Sequence, residues 1–141
     1  MNRCGIAAFG AIAVVLAVAA QAQETFKTRL SPVPIDAQLA PTITGHGAIL
    51  AALAGTKLTV TGTFEGMRSE ATAARLHQSK ITGIPGVVIH ELTVSKAVGG
   101  TISGSVELRP PEVEALRKGL LYVVIASTGA PEGNLWGWLL K

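Results

Sequence analysis

Apolar and polar residues alternate along most of this chain with the two-residue period of β-strands, and only one short stretch carries helical signals. Phe26 to Leu30 predicts a first strand. Ser31-Pro32-Val33-Pro34 should end it, because neither proline has an N–H to donate to a ladder. After a loop running through Pro41, Gly45-His46-Gly47 opens a second strand, Ala48 to Ala54. Leu58, Val60 and Phe64 then alternate with Thr59, Thr61 and Thr63, so a third strand turns its threonines outward. The short Gly55-Thr56-Lys57 link joins the two as a hairpin. Ala71 to His77, Val87 to Val94 and Thr101 to Leu108 are further strands, punctuated by the Gly/Pro-bearing segment Ile81 to Gly86 and by Gly99-Gly100.

The helical signal spans Glu112 to Lys118. Prolines precede it, acids come early, bases late, and Gly119 follows. Leu120 to Ile125 comes next and is apolar on both faces, which predicts a central strand covered on both sides. A turn rich in Gly and Pro leads to a last strand carrying both tryptophans. The expected fold is all-β: an antiparallel, Greek-key-like β-sandwich with one short helix before the penultimate strand.

Composition changes this picture mainly at the N-terminus. A basic start at Met1 to Arg3, an apolar run from Ile6 to Ala20 and the small-x-small step Ala20-Gln21-Ala22 read as a secretory signal peptide cut after Ala22. Of the first 22 residues 17 are hydrophobic, so the high overall hydropathy is partly the signal's and gives no ground for a stable membrane insertion after cleavage. Residues 23–141 then form a single domain that is secreted or periplasmic. The only cysteine, Cys4, leaves with the signal, so the core alone must hold the domain together. The remaining charge is +2, and the longest basic cluster is Arg117-Lys118. That is no phosphate-tracking stripe, and nucleic-acid binding is excluded.

Candidate chemistry is sparse. No spacing marks a nucleophile with its base, and Gly83-Ile84-Pro85-Gly86 lacks the strand–loop–helix context of a phosphate loop. Glu112 and Glu114 read as first-turn partners of the helix dipole. A non-enzymatic domain without a cofactor is the expectation. What remains is a surface. Period-2 geometry places Tyr122, Val124 and Ala126 on one face of their strand, and Asn134, Trp136 and Trp138 opposite Leu135 and Leu139 on the next. If the leucines face the core and the strands pair, Tyr122, Trp136 and Trp138 form an aromatic patch suited to an unknown protein partner or to self-association. Arg75 and His77, which share one face of their own strand, complete the candidate binding residues.

The order of these motifs resembles the CHRD domain, the module repeated in chordin. That family has an Ala-x-His-Ile-His strand, a glycine-rich loop and a Gly-x-Val-Val strand. It ends in Leu-Tyr-x-Asn-x-His-Thr followed by Pro-x-Gly-Glu-Ile-Arg-Gly. Here the corresponding stretches are Ala73-Ala74-Arg75-Leu76-His77, Gly83-Ile84-Pro85-Gly86-Val87-Val88, Leu121-Tyr122-Val123 and Pro131-Glu132-Gly133 with Leu135, Gly137 and Leu139. The resemblance covers essentially all of residues 23–141 and implies an antiparallel β-sandwich in an exported protein. The departures are polar: Arg75 stands for the first histidine, Val124 and Ala126 for the asparagine and histidine, and Asn134 and Trp136 for the glutamate and arginine. A His-x-His strand invites comparison with copper–zinc superoxide dismutase, so the alternative function is a metal-binding protein using His77 with His90 or His46. Arg75, a fixed cation beside His77, opposes that reading, and no metal site is expected.

Overall fold

A computed structural model describes residues 23–33 and 43–141. Residues 1–22, where the signal peptide is expected, and residues 34–42 lie outside the described residues. Eight strands and one helix follow in order: β1 (Glu24–Pro32), β2 (His46–Ala54), β3 (Lys57–Glu65), β4 (Ala71–Gln78), β5 (Val87–Val94), β6 (Gly100–Glu107), α1 (Pro110–Arg117), β7 (Leu121–Ser127) and β8 (Leu135–Trp138). The fold is all-β and antiparallel with one short helix before the penultimate strand, as the hydrophobic pattern requires.

The expected sandwich is corrected to a closed barrel of order β1-β2-β3-β6-β5-β4-β7-β8. Two corner strands make the difference. β1 runs along β2 from Glu24 to Leu30, and its last two residues, Ser31 and Pro32, then pair with Trp136 and Leu135 of β8. β5 runs along β4, and its last two residues, Thr93 and Val94, pair with Ser103 and Ile102 of β6. Each corner joins what would otherwise be two separate layers. Closure also overturns the expectation that the prolines end pairing before Pro32. Pro32 sits at the very end of its strand, where a missing N–H interrupts no ladder. The seam demands a close approach as well: a Cβ on Gly137 of β8 would lie 2.9 Å from the Arg29 carbonyl oxygen of β1.

Alternation fills the interior. Phe26, Leu30, Leu53, Leu58, Val60, Phe64, Leu76, Ile102, Val123, Ile125, Leu135 and Leu139 form one buried cluster. Thr59, Thr61 and Thr63 of β3 face water. The β2–β3 hairpin turns through Gly55 and Thr56, with Gly55 at φ +62°, a left-handed conformation glycine enters without steric cost. α1 begins at Pro110, where a proline removes no helical hydrogen bond, and Gly119 follows it at φ +74°. Its apolar face, Val113, Ala115 and Leu116, joins the core cluster. β7 is buried at every position, as a strand covered on both faces must be.

Candidate functional site

β7 lies between β4 and β8, and its register with both builds the site. His77 is opposite Tyr122, and Tyr122 is opposite Trp138, so the three form one row across the outer face of the barrel. The neighbouring row holds Arg75, Val124 and Trp136. Leu135 and Leu139 point into the core and are fully buried, so both tryptophans turn outward and are partly exposed. Four rings thereby meet. Tyr122 stands 4.9 Å from His77, 4.4 Å from Trp138 and 5.9 Å from Trp136, and the two indoles are 5.7 Å apart. Trp136 meets both Tyr122 and Trp138 edge-on, at 84° and 71°, the arrangement that ring quadrupoles favour. Tyr122 is the hub and is itself buried.

A cleft of about 730 Å³ opens beside this cluster. Its floor includes His77, Tyr122, Val124 and Trp136, and its walls are the β4–β5 loop near Gly83–Gly86 and the β7–β8 loop near Gly129–Gly133. Both walls are tied down. The Gly86 N–H donates to the Tyr122 hydroxyl at 2.7 Å. Behind the β7–β8 loop the Ser127 hydroxyl donates to Asn134 Oδ1 at 2.9 Å, and Asn134 Nδ2 donates to the Thr44 carbonyl at 2.9 Å. Asn134 is fully buried, which corrects its expected place on the outward face with the tryptophans. It precedes β8 and serves as an anchor for the loop.

The electrostatics of the floor are quiet. Burial pushes the His77 pKa below its ordinary value, the nearby Arg75 charge pushes the same way, and a Gly86 backbone contact opposes them. The imidazole is therefore neutral at neutral pH, and its Nδ1 is enclosed without a hydrogen-bond partner. Arg75 is held by Glu91 of β5, Nε to Oε1 at 3.0 Å, which turns it toward the far side of the sheet from the tryptophans. Of the residues singled out from the sequence, Tyr122, Trp136, Trp138 and His77 come together, and Arg75 stands one row away. The Gly86 anchor, Glu132 and Val33 were missed. They reach the cleft from three separate segments, and no spacing within the chain signals that.

The histidines do not converge. His46, at the start of β2, pairs with Glu65 at 2.8 Å. His90 is opposite Leu76, which is buried in the core, whereas His77 is opposite the outward Tyr122. Leu76 and His77 are neighbours on β4 and turn to opposite faces, so His77 and His90, the partner of Leu76, lie on opposite faces of the sheet. Among the described residues no group of three or more His, Cys, Asp or Glu side chains lies together.

A family model for the CHRD domain matches residues 17–139. The chain belongs to the CHRD domain family. The match spans every strand of the barrel, including β7 and β8, which carry Tyr122, Trp136 and Trp138. No curated protein and no solved structure matches the chain. Membership supports a non-catalytic module at the level of the family. In this CHRD domain the outer face of β7 and β8 is aromatic and aliphatic, with Tyr122, Val124, Trp136 and Trp138 side by side.

Proposed function

We propose that this CHRD domain is an exported, non-catalytic binding module whose cleft on the β4–β7–β8 face takes a protein partner or a second copy. One observation carries the reading: an open cleft floored by aromatic rings and walled by two loops that hydrogen bonds hold in place. Tryptophan and tyrosine supply much contact area for little loss of side-chain entropy, and partly exposed rings in a concave site are the usual anchors of an interface. The rings are already packed on one another, so little ordering is needed on binding. The floor offers no fixed charge and no cluster of acid, base and nucleophile, which favours recognition over catalysis, without cofactor or metal.

Trp136→Ala tests the site. It should abolish partner capture or self-association while lowering unfolding free energy by only about 1–2 kcal/mol, because the ring is partly exposed but makes two aromatic contacts. Association measured by analytical ultracentrifugation and by pull-down from the native envelope fraction decides it. Unchanged association, with a stability loss in the core range of about 3–5 kcal/mol, overturns the proposal.

Export is part of the same reading. The mature N-terminus is expected at Gln23, after Ala22. Mass spectrometry of the protein recovered from the cell envelope checks this, and an intact Met1 end retained in the membrane refutes it. Among the described residues no helix is long and apolar enough to cross a membrane.

A further inference from the structure

The β4–β5 loop leaves much of its apolar content in water. Ile81 and Ile84 of the loop, and Val87 where it enters β5, are 60 %, 52 % and 69 % exposed, far more than aliphatic side chains of a folded domain usually are. Their side of the loop is distinct from the side that walls the aromatic cleft, which is lined by Gly83, Pro85 and Gly86. Gly83 at the tip has φ +90°, and no atom lies within 4 Å of where its Cβ would stand, so the tip projects clear of the barrel. The base of the loop is nonetheless fixed. Ser79 N–H donates to the Leu120 carbonyl at 2.9 Å, the Thr82 hydroxyl to the Gly119 carbonyl at 2.9 Å, and the Gly86 N–H to Tyr122. The result is a held apolar projection.

The same bonds set charge around it. Lys80 lies in the loop, and Lys118 adjoins the Gly119 carbonyl that Thr82 binds. Both lysines are exposed, and neither makes an ion pair among the described residues. Leu140, about half exposed, packs beside Gly119 and extends the patch. Acids are scarce nearby: none occurs between Glu70 and Glu91, or between Glu114 and Glu132. Glu114 lies one helical turn before Lys118, and Glu24 is taken up by Arg117 and Lys141.

We propose that this projection docks the domain reversibly on an anionic lipid surface. Ile81, Ile84 and Val87 would enter the boundary between headgroups and acyl chains, and Lys80 and Lys118 would meet lipid phosphates. An apolar tip flanked by two lysines that make no ion pair among the described residues matches both properties of that surface. A two-fold contact between copies of this chain through the same patch satisfies only the first. It would bring the lysines of each copy toward those of the other, with only Glu114 beside the patch to answer them.

The test is co-sedimentation of the exported, processed protein with vesicles of phosphatidylcholine alone or mixed in equal parts with phosphatidylglycerol. Binding is expected on the mixed vesicles, weak on the neutral ones, and falling as salt is raised. Lys80→Glu with Lys118→Glu should weaken it about 20-fold or more, at about fivefold for each lysine lost. Ile81→Ser with Ile84→Ser should weaken it about tenfold or more, through lost apolar transfer. All four side chains are exposed, so tryptophan fluorescence should report an unchanged fold. Trp136→Ala should leave vesicle binding intact, which separates this surface from the aromatic cleft. Three results overturn the proposal: no partition to the mixed vesicles, equal partition of wild type and both double variants, or lipid-free dimerisation that Ile81→Ser with Ile84→Ser abolishes. The last identifies a second copy as the occupant.

Discussion

Truncating Tyr122 to alanine is expected to lower the unfolding free energy by about 3–5 kcal/mol, the range for a buried aromatic in a packed cluster. Its ring is almost wholly enclosed and touches His77, Trp136 and Trp138, so removal leaves three rings facing a void. Its hydroxyl also accepts the Gly86 N–H, tying the β4–β5 loop to β7. Tyr122→Phe isolates that bond. It keeps the ring and should cost about 1 kcal/mol, the net worth of one hydrogen bond. Hydrogen exchange at Gly86 should rise in Tyr122→Phe even where global stability hardly changes, since the effect is local opening. Urea denaturation of both variants is the measurement. A loss under about 1 kcal/mol for Tyr122→Ala would show that the cluster is a loose surface grouping instead of a packed unit.

Glu112→Ala is expected to cost about 3 kcal/mol at neutral pH, because it strips a buried carboxylate from groups arranged around it. Glu112 is 2 % exposed. Its Oε1 accepts the Arg109 backbone N–H at 3.0 Å and the Arg109 Nε–H at 3.1 Å, closing the first turn of α1. Its Oε2 lies 3.3 Å from His90 Nε2, which reaches α1 from β5. That His90 nitrogen makes no well-aligned hydrogen bond, and the contact becomes an ion pair only when the imidazole is protonated.

Burial is the largest influence on the Glu112 carboxyl and works against its ionisation. The Arg109 backbone N–H and guanidinium, with the charge of His90, together overcome burial and hold the pKa below the usual glutamate value. A carboxylate depressed in the folded state contributes its stability above the unfolded value, about 4.3, and loses it as pH falls through the folded value. The gap in stability between wild type and Glu112→Gln should accordingly be full near pH 7 and shrink below about pH 4. Thermal unfolding across that range checks it, and a gap that widens toward acid contradicts the assignment.

Most strands were legible because their cause is local. β3 and β7 show the two extremes. The alternating threonines of β3 mark a face turned to water, and the unbroken run Leu120 to Ile125 marks a strand covered on both sides. The aromatic face was legible for the same reason. Once Leu135 and Leu139 point inward, Trp136 and Trp138 must point out, whatever else the chain does. The short helix could be read from its end signals, since proline, charge order and glycine act within a single turn.

The sequence by itself determined which residues face in and which face out, because side-chain direction along a strand follows from backbone geometry two residues at a time. Only the tertiary structure decided what those faces enclose. A sandwich and a barrel place the same residues inside, and the choice rests on Ser31 and Pro32 meeting β8 and on Thr93 and Val94 meeting β6, pairings between segments far apart in the chain. The same holds for Glu112. Composition marks it as a first-turn helix acid, and burial against His90 of β5 makes it part of the barrel's interior. The cleft likewise exists because Gly86, Tyr122 and Glu132 reach one place from three segments. Local rules act over a few residues and are written in the order of the chain; closure, burial of a charge and the assembly of a cleft depend on contacts between distant segments, which are made only when the whole chain folds.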